Sequence, residues 1–432
     1  MIIQGIYAFN GKRVLLLQGP MGPFFRRIAQ DLTQAGAQVF KVNFNGGDWL
    51  FYRSGAINFR GRTEEWPAYL ETLLDQLRID VVMLFGDCRP IHRLAHEIVH
   101  RRGLEIGVFE EGYVRPDFVT LEQFGVNDHS LIPRSAEFYL ANPRYPAEHT
   151  RAVGNTYWYA VLWAMLYYFT AGLLKPLFRH YRHHRALTWL EALPWLRSAW
   201  RKSYSALRER GVLGRLTEEF AGRYFLVPLQ VYNDAQVHVH SDFESVVHFI
   251  QEVTTSFAQH APPETILVIK HHPMDRGYHD YSKLIRVQVK KLGLQKRCLY
   301  IHDQHLPTLL QHARGVVVIN STVGLSALDH GTPLKVCGNA NYDIPGLTFQ
   351  GSLDDYWQNA QQAKPNKELL DAFRNYLVQH TQLNGSFYKR LPKAQSASGL
   401  RWNSADATGK YAALTRAANV ETGKKTVCES GV

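Results

Sequence analysis

From residue 13 onward, short aliphatic runs alternate with stretches of helical period. "RVLLLQ" leads through the turn "GPMGP" into the helix-like "FFRRIAQDLTQAG" and then "QVFKVNF", which together predict a strand, a crossover helix and a parallel strand. After a loop rich in Gly and Asn the rhythm resumes with "WPAYLETLLDQL", "IDVVMLF", "PIHRLAHEIVHRRG" and "LEIGVFEEG". Residues 10–130 therefore predict a Rossmann-type α/β domain, in which ligands gather at the carboxyl ends of the strands. A second such rhythm starts near residue 222 with "YFLVPLQ" and runs through "TILVIK", "RCLYI" and "VVVIN" to "PLKVCG", closed by helical "DDYWQNAQQA" and "NKELLDAFRNYLVQH". The fold class expected is α/β and GT-B-like: two Rossmann-type domains facing a cleft, with an aromatic and basic helical insertion. The divisions are 1–150, 151–221, 222–394 and a tail, 395–432, with too few large apolar residues to pack and so expected to be disordered.

The insertion breaks the pattern. Residues 152–174 carry no charged side chain, and residues 175–211 then hold nine Lys and Arg against Glu191 and Glu209. Twenty-three uncharged residues are long enough to span a bilayer. Seven of them are aromatic and spread through the run, however, whereas a spanning helix concentrates Trp and Tyr at its ends. A buried helix between domains is an equal alternative. The reading favoured is an interfacial segment, with Trp158, Trp163, Arg179, Arg182 and Arg185 meeting an anionic membrane surface.

Composition narrows the chemistry. The 432 residues hold 49 Lys and Arg against 38 Asp and Glu, a formal charge of +11, which favours anionic partners without choosing among nucleic acid, lipid and phosphorylated small molecules. Cys88, Cys298, Cys337 and Cys428 are widely spaced, so neither a zinc site nor a disulfide framework is suggested and a reducing cytoplasm fits best. The N-terminal stretch lacks the pattern of a signal peptide.

Four clusters carry candidate chemistry. "VIKHHPMD" ends a predicted strand in Lys270, His271 and His272, and Pro273 biases the preceding residue towards an extended conformation, so that three donors at one strand end predict an anion site. "VVVINSTVGLSALDHG" runs a strand into Asn320, Ser321 and Thr322 at a helix start, where hydroxyls and amides cap the helix and can also hold a phosphate or carboxylate. "LEIGVFEEG" ends in Glu110 and Glu111, adjacent carboxylates suited to a base or nucleophile, with Arg115 nearby and Asp87, Arg89 and His92 at the preceding strand end. Gly19 and Gly22 form a strand-to-helix turn that allows close backbone approach to a sugar or phosphate but matches neither GxGxxG nor GxxxxGK[ST], so NAD and P-loop nucleotide readings lose support. No DxD-type metal motif sits at a strand end; "LDD" at 353–355 reads as a helix N-terminus.

In order, "LLLQGPMGPFFRRIA", "FGDCRPIH", "FEEGYVRPDFVTLE", "KHHP", "NSTVGLSAL" and "NGSFY" resemble the capsule polysaccharide biosynthesis family, and its KpsS/LipB-type β-Kdo transferases in particular, over about residues 10–390. The resemblance implies a retaining transferase moving Kdo from CMP-Kdo to a phosphatidylglycerol-type lipid at the cytoplasmic face of the inner membrane, with no cofactor, no metal and no nucleic acid. A second Kdo transferase and the capsule export machinery are the implied partners. It places His272 on the CMP phosphate with Lys270 in support, Ser321 and Thr322 on the phosphate or the Kdo carboxylate, and Glu110 or Glu111 as the catalytic carboxylate; Asp87 is a third candidate. Two competing readings keep the chain but change its role: the same fold using CMP-sialic acid or a UDP-sugar, and a non-catalytic scaffold for capsule assembly.

Overall fold

The computed structural model describes residues 5–142, 150–181, 192–234, 237 and 240–402. The chain divides into two units, one made of Met1–Pro133, Pro143–Trp189 and Arg374–Val432 and the other of Arg134–Asn142 and Leu190–Phe373.

The first unit is built on seven strands: β1 (Arg13–Leu16), β2 (Gln38–Asn43), β3 (Ala56–Asn58), β4 (Val81–Phe85), β5 (Glu105–Glu111), β6 (Phe118–Gln123) and, far along the chain, β12 (Gln382–Asn384), in the spatial order β12-β6-β5-β4-β1-β2-β3. The inner pairs are parallel, as aliphatic strands joined by crossover helices must be, while β6 runs antiparallel to both β5 and β12. Helices Phe24–Gln34, Trp66–Leu77 and Pro90–Arg101 cover the sheet, and the two apolar layers are filled by groups such as Phe24, Phe109 and Phe387 on one side and Phe44, Trp66 and Val108 on the other.

The second unit holds a fully parallel sheet, β11-β10-β7-β8-β9, formed by β7 (Tyr224–Pro228), β8 (Ile266–Lys270), β9 (Cys298–Ile301), β10 (Gly315–Val318) and β11 (Leu334–Val336). Its core packs Phe225, Phe249, Phe257 and Trp357. Two Rossmann-type sheets are therefore present, the first with a parallel interior and an antiparallel edge and the second fully parallel, at the positions the aliphatic runs predict.

Two divisions differ from the sequence-based expectation. Residues 151–221 are not one inserted segment: the aromatic helix Tyr157–Leu173 packs within the first unit and the basic helix Ala192–Arg208 belongs to the second. The tail expected from residue 395 is packed as far as Trp402, because Asp31 accepts the amides of Ala397 and Ser398, Leu400 is buried and Trp402 stacks edge-on against Phe9. The remainder of that stretch, including Cys428, lies outside the described residues.

The aromatic helix has two faces. Ala164, Tyr167 and Ala171 are buried, and the helix sits so close to the Gly46–Phe51 helix that a Cβ on Gly47 would lie 2.5 Å from the Tyr167 ring. Trp158, Leu162, Met165, Phe169 and Leu173 point outward, with Trp158 72% and Phe169 71% exposed. Among the described residues no helix is long and apolar enough to cross a membrane, so the spanning alternative is not met.

Candidate active site

In the first unit, β4 and β5 pair in register with Phe85 opposite Phe109, which sets their carboxyl ends side by side. Glu110 and Glu111 are the last two residues of β5, and Gly86 turns the chain out of β4 with φ +67, its missing side chain leaving the Glu110 Oε2 3.5 Å from where a Cβ would stand. Glu110 is hemmed in by protein despite a partly exposed edge. Desolvation pushes its carboxyl up to about 7; the charges of Glu111 and Asp87 add to this, while a 2.9 Å bond from the Glu111 amide and the charge of Arg89 oppose it. Glu111 is held differently: its Oε1 accepts the Tyr388 hydroxyl at 2.9 Å, across 277 residues of sequence. The two neighbouring carboxyls thus have different partners.

Asp87 is buried and occupied. Its Oδ2 accepts the Val126 amide at 3.1 Å and stands 3.1 Å from His129 Nδ1, and its Oδ1 takes the Cys88 thiol at 3.3 Å. Burial works to raise its pKa, but the bond and charge of His129, with the other donors, hold it below the usual carboxylate range. This fits Asp87 for fixing the loop and not for exchanging a proton. His92 plays a similar part: burial, with Arg89 nearby, drives it down to about 3, so it is neutral and its Nδ1–H donates to the Gly86 carbonyl at 2.7 Å.

Gly19 and Gly22, which the sequence leads one to expect beside a sugar or phosphate, face side chains of the protein itself. A Cβ on Gly19 would meet the Phe25 ring at 2.7 Å and one on Gly22, at φ +115, would meet Trp163 at 3.1 Å, so the glycines admit the protein's own aromatic rings. Trp163 is correspondingly turned inward, donating its Nε1–H to the Tyr388 carbonyl at 3.0 Å and packing edge-on against Phe51, which removes it from the outward set. Arg115 is exposed, donates to the Gly112 carbonyl at 3.1 Å and lines a cavity of about 220 Å³ together with Glu111 and Tyr388. A larger cavity of about 630 Å³ lies by Gln18, Arg62, Arg89, Arg179 and Tyr181; Arg179 thus lines a hollow, and Arg182 and Arg185 lie outside the described residues.

In the second unit, β8 ends at Lys270 beside β7 and β9. Lys270 is buried, and desolvation lowers its pKa against the opposing charge of Asp303. His271 turns into the unit: its Nδ1 lies 2.6 Å from the Tyr300 hydroxyl, its ring packs against His302, and burial followed by the His302 charge takes it down to about 3. It is therefore a neutral packing residue, which corrects the expectation of three anion-facing donors at this strand end. His272 remains partly exposed and caps the Pro273–Asp275 turn, its Nδ1 accepting the Met274 amide at 3.2 Å. In the neutral ring that bond leaves the proton on Nε2, which is then a donor. Glu209 steadies this region by accepting from the His302 backbone amide at 3.1 Å and from Gln304 Nε2 at 3.1 Å, with His302 Nδ1 at 2.6 Å.

At the end of β10, Asn320 is engaged in structure: it accepts from Gln230 at 3.0 Å and donates to the His240 carbonyl at 3.1 Å. The Ser321 hydroxyl accepts the Val323 amide at 3.3 Å, and Thr322, in a helical conformation, gives no side-chain cap to the short helix Val323–Asp329. Ser321 thus performs the capping that either hydroxyl was expected to share.

Residues 80–388 match the family model described as capsule polysaccharide biosynthesis protein. The chain is also 45% identical over 381 residues to the capsule polysaccharide export protein KpsS of Escherichia coli, covering 88% of this chain and 97% of KpsS. This chain belongs to the capsule polysaccharide biosynthesis family. A second relative in the same range is the capsule polysaccharide modification protein LipB of Neisseria meningitidis serogroup B, 40% identical over 391 residues, 88% of this chain and 93% of LipB. Among solved structures, the β-Kdo 2,7 transferase of Thermosulfurimonas dismutans KpsC aligns with 94% of this chain and 99% of its own at 16% identity and a TM-score of 0.42. HepE of Anabaena, solved with UDP-glucose, aligns with 84% of this chain and 92% of its own at 10% identity and a TM-score of 0.32. Both structural likenesses are too distant to bear on the chemistry of this capsule-family chain.

Several residues of this capsule-family site escape the motif reading. Gln18, the last residue of an aliphatic run, is fully buried and bonds Arg89 at 2.8 Å. Tyr388 sits within "NGSFY" without any local sign that it binds Glu111, and Arg62 and His129 stand in stretches with no motif at all. The useful signal is compositional: a buried glutamine at the end of a strand needs polar partners, and they mark a pocket.

Proposed function

We propose that this chain is a capsule-assembly glycosyltransferase that moves Kdo from CMP-Kdo to the headgroup of a phosphatidylglycerol-type lipid at the anionic cytoplasmic surface of the inner membrane. Glu110 is the observation that carries the reading. A carboxyl at a strand end, desolvated until it titrates at about 7, is matched to taking a proton from an acceptor hydroxyl near neutral pH. A scaffold has no use for such a group. Kdo and its CMP donor come from the family resemblance, which the 45% identity to KpsS supports.

In the transfer, the bond between the Kdo anomeric carbon and the CMP phosphate breaks and its electron pair leaves with CMP. The family resemblance implies that His272, supported by Lys270, offsets the charge that develops on the phosphate, without a metal. The acceptor oxygen bonds to the anomeric carbon while its proton passes to Glu110, and Glu111, held by Tyr388, keeps a second negative charge beside the reacting centre. Retention at the anomeric carbon is part of the proposal: CMP departs first, and the acceptor oxygen then bonds to the face that CMP has left.

A lipid acceptor requires contact with a bilayer. The outward face of the aromatic helix, with Trp158 and Phe169 both more than two-thirds exposed and Lys175 just beyond its end, suits partial burial at the headgroup boundary. In the second unit, helix Ala192–Arg208 presents exposed Leu196 (68%) and Trp200 (65%) among basic residues and offers a further contact.

Incubation of the purified protein with CMP-Kdo generated in place and a fluorescent lysophosphatidylglycerol analogue tests the reading. A product heavier by one Kdo, absent with Glu110→Gln, is expected. Transfer from CMP-sialic acid or a UDP-sugar in its place, or CMP binding without any product, would overturn the donor assignment.

A further inference from the structure

The loop that leaves β8 in the second unit has little regular structure and is held by an element from elsewhere in that unit. After His272, Pro273–Asp275 make a single tight turn that Arg276 closes. The Asp275 carbonyl accepts the amides of Tyr278 and His279 at 2.8 and 2.9 Å, and the buried Asp275 carboxylate accepts the Tyr232 amide at 2.9 Å. Among the described residues no backbone amide reaches the carbonyls of Arg276 and His279, and such groups need a donor where water is screened out. Arg201 supplies it. From helix Ala192–Arg208 its Nη1 donates to the Arg276 carbonyl at 2.8 Å and to the His279 carbonyl at 3.3 Å, while its Nη2 stands 3.7 Å from the Asp280 carboxylate.

Helix and loop are shaped to each other along this contact. A Cβ on Gly277 would lie 2.3 Å from the Pro194 carbonyl oxygen, so the missing side chain lets the start of the helix come in. Arg276 pairs with Asp303 after β9 and donates to Ser198 Oγ at 3.4 Å. Ser198, Arg201, Ser205 and Glu209 follow at spacings of three and four, so they share one face, and Ser205 and Glu209 are buried. The helix thus turns a polar stripe inward while Leu196 and Trp200 stay exposed, the reverse of a helix held by apolar packing. Buried polar groups of this kind are retained where their hydrogen bonds fix something, and here they fix the loops after β8 and β9.

We infer that Arg201 is a positioning residue of the donor site: it anchors the Arg276–Asp280 limb of the loop, and through it the turn that presents His272. Without Arg201 two carbonyls and the Asp280 carboxylate lose their common partner, and ordering the loop falls to the incoming donor, which binds more weakly as a result. The donor's presence at this loop rests on the transferase reading; the hold of Arg201 on the loop does not.

The experiment compares the full chain with Arg201→Gln, Arg201→Lys and Lys202→Gln, the last removing one positive charge from an exposed neighbour on the same helix. Calorimetric titration with CMP reads the donor site, donor and acceptor KM read the reaction, and hydrogen exchange at the Met274, Asp275, Tyr278 and His279 amides, all bonded within the loop, reads its order. In Arg201→Gln, CMP affinity should fall about tenfold, donor KM should rise by a similar factor with acceptor KM unchanged, and exchange at the four amides should quicken at least ~tenfold. A mere loss of folded protein would lower kcat and leave CMP affinity and both KM values in place. Arg201→Lys should recover part of the affinity, and Lys202→Gln should match wild type. The inference falls if CMP affinity and donor KM are unchanged in Arg201→Gln, if Lys202→Gln weakens CMP equally, so that charge alone is the cause, or if loop exchange is unaltered. Should wild type bind no CMP, the donor assignment fails, and the exchange measurement still decides whether Arg201 holds the loop.

Discussion

Replacing Glu110 by Gln should make the protein less active and, at alkaline pH, more stable. The carboxyl's midpoint lies at about 7 in the folded chain against an ordinary 4.5, with desolvation as the main cause. The folded state therefore holds a proton that the unfolded chain has lost between those two values, so stability falls as pH rises from about 4.5 to 7 and stays lowered above that. At 1.36 kcal/mol per tenfold change the span corresponds to about 3 kcal/mol, and the partly exposed edge of the residue trims this to about 2 kcal/mol. Gln keeps an acceptor for the Glu111 amide but cannot ionise, so the variant avoids the cost. Denaturation followed by Trp fluorescence should show the variant gaining on wild type at about pH 8 and matching it at about pH 4. Transfer should fall by at least ~10²-fold, and the wild-type rate should climb with pH to a plateau above about 7, since only the deprotonated carboxylate accepts a proton. A stability difference equal at both pH values, or a rate that does not change through neutrality, would refute the assignment of a desolvated base.

His272→Ala should lower turnover by at least ~10²-fold, the scale of losing one donor to a developing charge, with His271→Ala instead lowering stability through the lost Tyr300 contact; the two are separated by transfer rate against denaturant midpoint, and equal effects on both readouts would count against the division of roles. Trp158→Ser with Phe169→Ser should reduce flotation with anionic vesicles while transfer to a short, soluble acceptor is kept; loss of both would mean the outward face is needed by the fold. Transfer should persist in EDTA, and a loss restored by Mg²⁺ would show that a metal does the work assigned to Lys270 and His272.

The parallel strands were legible because a strand buried on both faces is an aliphatic run, and β1, β4, β5, β7, β8 and β10 are such runs. The elements without that signature were not. β3 lies in a Gly- and Asn-rich loop, β6 reads "FVTLEQ" with Thr120 and Glu122 buried inside it, and the three residues of β12 become a strand only because the chain returns from residue 374 to pair with β6. The same distinction governs the site. Residue order reveals which side chains a strand end carries, and so "KHHP" and "EEG" were found; it does not reveal which way each one turns. His271 faces inward because Tyr300, 29 residues later, receives it, and Glu111 is pinned by a tyrosine 277 residues away. Gly22, after β1, looks free for a ligand in the sequence for the same reason, since Trp163 arrives from another part of the chain. The physical cause of the Glu110 shift shows what is at stake. Adjacent carboxylates suggest mutual repulsion, yet burial is the larger effect and the Glu111 charge the smaller one. Burial is a property of the surrounding chain, so the base that defines this site is made by the fold around "EEG" more than by the motif itself.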